Sequence, residues 1–347
     1  MGYAGSMTIS QALERLSDTI RLRHLARSTE ECYRCWLQSY MQWLASRSFK
    51  GSSAQKVEAF LTMQARRGVA ASTQNQALNA LVFFYKCVLG TPLEAIDAVR
   101  VRRPATVRTA LTVAETRALL AAVEDHAGYP TRLVAHLLYG AGMRVCEPLE
   151  LRIKDVDVVG RRLVIRGAKG GKDRVVELPR TLVEAVEGQF RAARAVWRGD
   201  AAAGLPVGMP GLLARKSPKL ALTEAWAWLF PGHEPVKAFG GRNAEGGTGK
   251  EGAARLLTAA ATGGASAATV RWRMHEVNVQ RAVRAAAGKT GLEGKATPHV
   301  LRHCYATHAH EAGAPARNLQ EAMGHTQLET TMRYLTPTAA GVRSPLD

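Results

Sequence analysis

The chain has 347 residues, enough for two domains with cores of their own, and at 46% hydrophobic it reads as globular rather than disordered. Its 47 Lys+Arg against 29 Asp+Glu leave a formal charge of +18, which points to a polyanionic partner, most often nucleic acid. The apolar runs are too short and too broken by charge to span a bilayer, and no basic-then-apolar leader opens the chain, so a cytoplasmic bacterial protein with no membrane partner is expected.

Met1–Ser6 reads as a tail, and residues 8–90 as helical. Leu13, Leu16, Ile20 and Leu22 recur near helical spacing. So do Tyr33, Trp36, Leu37, Tyr40, Met41 and Leu44, and later Leu78, Leu81, Val82, Tyr85 and Leu89. Ser72-Thr73 is read as the cap of the last of these helices, which Gly90 and Pro92 end. The polar faces carry Arg21, Arg23, His24, Arg27, Arg34, Arg47, Lys50, Arg66 and Arg67, as either a solvated face or a phosphate-contacting one. The five cysteines (Cys32, Cys35, Cys87, Cys146, Cys304) are odd in number and scattered, so buried thiols are expected rather than disulfides. Cys32-x-x-Cys35 has no second pair downstream to complete a metal site.

Val99 to Arg108 holds four arginines, has no period, and contains Pro104, which discourages a helix. It reads as a linker whose charges, Arg102 and Arg103 among them, suit a phosphate backbone. Leu111-Thr112 followed by Glu115 is a capping-box helix start, and Arg132–Tyr139 is an apolar helix ending at Gly140 and Gly142. Val156–Arg166 and Arg174–Leu178 are β-branched runs around the turn Gly167–Asp173, as in a hairpin. Helix returns at 181–198, and the Gly/Ala/Thr-rich residues 236–270 read as a mobile insertion. Helices resume at Val277–Ala287, Thr297–Ala312, Ala316–Met323 and Leu328–Tyr334.

Two pieces carry chemistry. In Thr297-Pro-His299-Val-Leu-Arg302-His303, Pro298 suits a first helical turn, and His299 and Arg302 share one helical face. A guanidinium fork beside an imidazole is a sensible phosphate site, since one binds two oxygens and the other moves a proton near neutral pH. The second piece is Gly324-His325, with Tyr334 nine residues after the histidine. His299 and His303 are four apart, as in a helical zinc pair, but no further ligand follows at diagnostic spacing, so no metal is expected. Gly288-Lys-Thr290 mimics the end of a phosphate-binding loop, yet Val283 stands where that loop requires glycine.

In these residues the sequence resembles the tyrosine recombinases, or phage-type integrases. Arg144 in Gly140-Ala-Gly-Met-Arg144, Lys169 at the hairpin turn, His299 and Arg302, His325, and Tyr334 match the family's six positions in order, and the resemblance runs from about Leu13 to Leu335. It implies a mainly α fold with a small β-sheet. A helical core-binding (SAM-like) domain over 8–95, an Arg-rich linker over 96–110 and an α+β catalytic domain over 111–340 would form a clamp on DNA. It implies strand exchange without metal or ATP, through a covalent 3′-phosphotyrosine on Tyr334, by a homotetramer on DNA. Arg144 and Arg302 would neutralise the phosphate, Lys169 would protonate the leaving 5′ oxygen, His299 would help take the tyrosine proton, and His325 would hydrogen-bond the phosphate. Lys172 and Arg174 also lie near the hairpin, which leaves the lysine the least secure of the six. Glu147 is read as orienting the active-site arginine or packing locally.

Within that family the sequence is most similar to the integron integrases, which carry extra residues between the hairpin and His-x-x-Arg, here around 205–280. The aromatic segment Ala225-Trp226-Ala-Trp228-Leu-Phe230 and the basic stretch Arg271-Trp272-Arg273-Met-His275 occupy that place. The branch recombines a folded single-stranded hairpin as well as duplex sites, and Trp226 resembles its base-stacking aromatic. Trp226 and Trp228 equally suit packing of the extra helix. Trp272 and Arg273 stand where the branch has adjacent histidines, and both residue types stack on bases. The alternatives are a phage- or Xer-type recombinase acting on duplex sites, and a DNA-binding protein that has lost catalysis.

Overall fold

The computed structural model describes residues 7–93, 110–168, 172–210, 213–237 and 269–324. Over these the chain is mostly helical with two small sheets. It divides into two compact units, one holding residues 7–93 and the other 110–237 and 269–324. No described helix is long and apolar enough to cross a membrane.

The first unit contains α1 (Ile9–Leu22), α2 (Arg27–Ala45), α3 (Ser53–Arg66) and α4 (Ala71–Phe83). Capping boxes open α1, with Thr8 and Gln11, and α3, with Ser52 and Gln55. Each satisfies N–H groups that a first turn leaves without an intrahelical acceptor. For α4 the expectation is corrected: the helix starts one residue before Ser72, so Ser72 and Thr73 lie inside its first turn. Gln74 instead reaches back to the Val69 carbonyl.

α4 continues into a five-residue π-helix, Phe84–Val88. The wider turn carries one more residue than an α-turn, and the neighbours Phe84 and Tyr85 are both buried with Leu16, Ile20, Tyr40 and Phe60. The Tyr85 and Tyr40 hydroxyls share a buried hydrogen bond of 2.9 Å. Tyr85→Phe leaves the Tyr40 hydroxyl without that partner, and a loss of about 1 kcal/mol in urea unfolding is expected. Arg34 is drawn off the solvated face, donating to the Leu13 carbonyl and Ser17 Oγ. The expectation of buried thiols holds only for Cys304. Cys35 is exposed, and Cys32, Cys87 and Cys146 are half-buried.

In the second unit the Thr112–Glu115 capping box starts α5 (Val113–Ala122) as expected, and α6 (Thr131–Gly140) follows. The short α7 (Cys146–Leu149) leads to an antiparallel sheet ordered β1 (Val156–Asp157), β2 (Arg162–Ala168), β3 (Lys172–Glu177). Ile165 pairs with Arg174 and Ala168 with Lys172, with a bulge between the two pairs. Leu163, Ile165 and Val176 are buried, whereas Val175 is exposed. Strand alternation therefore puts Arg174 on the inward face with Val176.

α8 (Val183–Ala202) and α9 (Leu213–Lys216) come next. The two ends of the glycine-rich stretch then pair as β4 (Val236–Lys237) and β5 (Thr269–Val270), a ladder that composition did not signal. Residues 238–268 of the expected insertion lie outside the described residues. Arg271 grips this region: it is bidentate to Asp200 at 2.6 and 2.8 Å and donates to the Gly232 and His233 carbonyls. The unit closes with α10 (Glu276–Lys289), α11 (Pro298–Glu311) and α12 (Ala316–Met323). Thr297 caps α11 through the Val300 N–H, and Gly324 ends α12 in the left-handed region. The helix expected at Leu328–Tyr334 lies outside the described residues.

Candidate active site

The site starts from a glycine. After α6 the chain turns at Gly142, whose φ is 60°, and a Cβ there would sit 2.4 Å from ring carbons of Tyr305 on α11. Only glycine accepts both the backbone angle and that ring. The turn delivers Arg144 and then Glu147 on α7. The Arg144 backbone N–H donates to Glu147 Oε2 at 2.7 Å, and Arg144 Nη1 to Oε1 at 2.8 Å.

Two more guanidinium groups reach the same carboxylate. Arg174 donates from Nη1 and Nη2 to Oε1 and Oε2 at 2.9 and 2.6 Å, and from Nε to the Ala322 carbonyl of α12 at 2.8 Å. Arg302 donates from Nη1 to the Gly142 carbonyl and from Nη2 to the Met323 carbonyl, both at 2.6 Å. Its Nη1 lies 3.6 Å from Glu147 Oε2. The Arg302 side chain is 1% exposed and Arg144 28%, so the cluster opens toward solvent at Arg144.

Burial pushes the Glu147 carboxyl up, but the hydrogen bonds and charge of Arg174, then the N–H and guanidinium of Arg144, outweigh it and hold it below the usual carboxylate range. Three cations around one anion leave a surplus of positive charge, the right sign for an oxyanion of phosphate. His299, the second residue of α11, is exposed and stands one turn before Arg302. His303 is buried, so the two histidines face different environments. Among the described residues no three His, Cys, Asp or Glu side chains gather to hold a metal ion.

Lys169 belongs to the connection between Ala168 and Lys172, outside the described residues, as are His325 and Tyr334. The structure therefore brings together Arg144 and Arg302, with His299 one helical turn away. It adds Arg174, which sequence reasoning treated only as a competitor for the hairpin lysine. The signal was there: Arg174 is two residues from Val176 on one strand face, an inward position for a charge.

Two family models match the chain. A phage integrase N-terminal SAM-like domain covers residues 12–95, and the phage integrase family covers 109–233 and 255–340. The chain belongs to the phage integrase family. It is a tyrosine recombinase, an enzyme that breaks and rejoins DNA at specific sites. An integrase/recombinase of Escherichia coli is 35% identical over 344 residues, covering 97% of this chain and 93% of the relative. Tyrosine recombinase XerD of Agrobacterium fabrum is 29% identical over 90% of this chain and 85% of its own. Among solved structures, the fold is similar to the Tn1549 transposon integrase in complex with transposon right end DNA (TM-score 0.60, 16% identity, 96% of each chain). It is likewise similar to a lambda integrase dimer bound to a COC′ core site (TM-score 0.60, 15% identity, 97% of this chain and 98% of that one).

The recombinase places its aromatic segment beside a row of cations. Trp226 is half-buried, with Lys154 Nζ 3.0 Å from its ring centroid. Trp228 is buried under the Arg152 guanidinium, 3.2 Å from its centroid, and Arg152 also donates to the Gly208 carbonyl. Trp272 lies edge-on to Trp228, over Gly208, where a Cβ would come within 1.7 Å of its ring. Arg273, expected to stack on a base, is instead buried between two carboxylates. Its side chain is 4% exposed and lies between Glu150 at 3.6 Å and Glu276 at 3.5 Å, because a charge at this depth needs counter-charges more than contact with DNA. Arg102 and Arg103 lie outside the described residues.

Proposed function

We propose that this recombinase integrates and excises gene cassettes by tyrosine transesterification, acting on folded single-stranded attC-like sites and on duplex attI-like sites. The observation that carries the chemistry is the convergence of Arg144 and Arg302 on Glu147 in a chain of this family. The Tyr334 hydroxyl attacks the scissile phosphorus and the bond to the 5′ oxygen breaks. The tyrosine proton passes toward His299, and Lys169 protonates the leaving oxygen. Arg144, Arg302 and His325 hold the non-bridging oxygens as charge builds. A 5′ hydroxyl of a second strand then attacks the 3′-phosphotyrosine and releases Tyr334. The number of ester bonds is unchanged, so the exchange requires no ATP. Two sites and four cuts imply a homotetramer on DNA. Residues 8–95 serve as the core-binding domain, 96–110 as the linker and 111–340 as the catalytic domain, the whole working in the cytoplasm where its DNA lies.

The choice of a folded strand rests on Trp226, an indole only half-buried that stands beside the cations Lys154 and Arg152, an aromatic surface next to charge that suits a phosphate. A second reading, recombination of duplex sites only, is favoured by the 29% identity to tyrosine recombinase XerD. One experiment tests both. The protein is mixed with nicked suicide substrates in hairpin and duplex form, and covalent adducts are digested for peptide mass spectrometry. Adducts on the peptide containing Tyr334 are expected from both forms; no adduct, or one elsewhere, overturns the catalytic reading. Trp226→Ala is expected to weaken hairpin binding by roughly 10–100-fold, the worth of one stacked base, and to leave duplex binding unchanged. An equal loss on both forms, or none on the hairpin, removes the folded-strand reading.

A further inference from the structure

We infer that Arg174 is a positioning residue for strand cleavage, acting through Glu147 and not by touching DNA. Each of its three nitrogens donates within the protein: Nη1 and Nη2 to Glu147 and Nε to the Ala322 carbonyl. One guanidinium thereby ties three segments far apart in sequence: strand β3, the turn carrying Arg144, and the end of α12.

The valence of Glu147 gives this arrangement its consequence. A carboxylate has about four lone-pair sites. Here four donors fill them: the Arg144 N–H, Arg144 Nη1, Arg174 Nη1 and Arg174 Nη2. Arg302 is left at 3.6 Å, beyond hydrogen-bond reach, and is turned instead by the Gly142 and Met323 carbonyls. Without Arg174 two sites on Glu147 open beside a guanidinium already close. Arg302 then closes from its present 3.6 Å ion pair into direct hydrogen bonds with the carboxylate, and a cation meant for phosphate is drawn inward. Arg174 saturates Glu147 so that the other two arginines keep their geometry. Lysine cannot do this, because one ammonium does not reproduce a planar fork with a third donor pointing elsewhere.

This inference rests on the reading of Arg144 and Arg302 as phosphate ligands. The test is single-turnover adduct formation on the nicked duplex, with DNA affinity measured across a salt series and folding checked by circular dichroism at the assay temperature. Arg174→Lys is expected to bind duplex with wild-type affinity and an unchanged salt slope, and to form adduct roughly 100-fold more slowly, the effect of misplacing a reacting group by about an ångström. A wild-type rate overturns the inference. So does a salt slope reduced by about one, which marks a lost phosphate contact.

A double-mutant cycle covers the case in which Arg174→Lys does not fold. Glu147→Gln, Arg174→Met and their combination replace the buried pair by neutral groups of similar size, and the double variant leaves no buried charge stranded at either position. Coupling through Glu147 predicts that the double variant cleaves no more slowly than the slower single one; multiplicative losses overturn it. Arg144→Ala and Arg302→Ala run alongside. If they cleave like wild type, the phosphate-ligand reading has failed. If they are inactive while Arg174→Lys is not, only this inference has failed.

Discussion

Glu147→Ala is expected to lose about 3–5 kcal/mol of folding stability, the cost of stranding buried charge after removing its partner. The carboxylate receives four hydrogen bonds, and Arg302 and Arg174 beside it are 1% and 9% exposed. Neither guanidinium can turn to water without breaking its bonds to the Gly142, Met323 or Ala322 carbonyls. Urea unfolding of the free protein checks the stability. The adduct assay checks the site, where a fall of roughly 10²–10³-fold is expected from losing the alignment of the phosphate donors. An unfolding midpoint equal to wild type would show that the three arginines repel one another less than their burial requires.

The same carboxylate sets an acid limit. Its folded pKa lies below the unfolded value of about 4.3, so its stabilisation is complete above that pH and is lost as pH falls through the folded value. In melts below about pH 4.3 the wild type should lose stability with a slope that Glu147→Ala lacks. Parallel curves for the two proteins would mean that the carboxyl is not held low.

Gly142→Ala is the second large effect. A φ of 60° costs a residue with a side chain about 1–3 kcal/mol. The new methyl, 2.4 Å from Tyr305 ring carbons, adds about 1–3 kcal/mol of overpacking. Any backbone shift that relieves the clash moves the carbonyl that holds Arg302 Nη1. A loss of about 2–6 kcal/mol is expected in urea unfolding, together with a fall in adduct rate at temperatures where the variant is still folded. Gly142→Ala paired with Tyr305→Leu should recover the packing part only. Full recovery would show that the backbone angle carries no cost.

Helix positions were legible where a local rule sufficed. The Thr112–Glu115 box, Pro298 after Thr297, and the apolar runs of α6 and α11 follow from contacts within one turn. The start of α4 was misplaced because Ser and Thr serve inside a first turn as well as before it. The ladder between β4 and β5 was hidden because two-residue strands have no period to read.

For the site, the resemblance to the tyrosine recombinases named Arg144 and Arg302 together, and the structure brings both to Glu147. His299 and Arg302 share a helix face by the three-residue rule, which needs no tertiary knowledge. What the sequence alone determined is the inventory: a strongly basic chain, a helical part followed by an α+β part, and the residue types of strand exchange in order. Only the tertiary structure decided what each charge faces. Arg174 and Arg302 meet Glu147 from 27 and 155 positions along the chain, and Arg273, written beside Trp272 as if its equal, turns inward to Glu150 and Glu276. Periodicity tells which side of a helix or strand a residue occupies. Whether that side meets solvent, a carboxylate or another arginine depends on segments packed from elsewhere, and for a buried charge the partner decides between structure and catalysis.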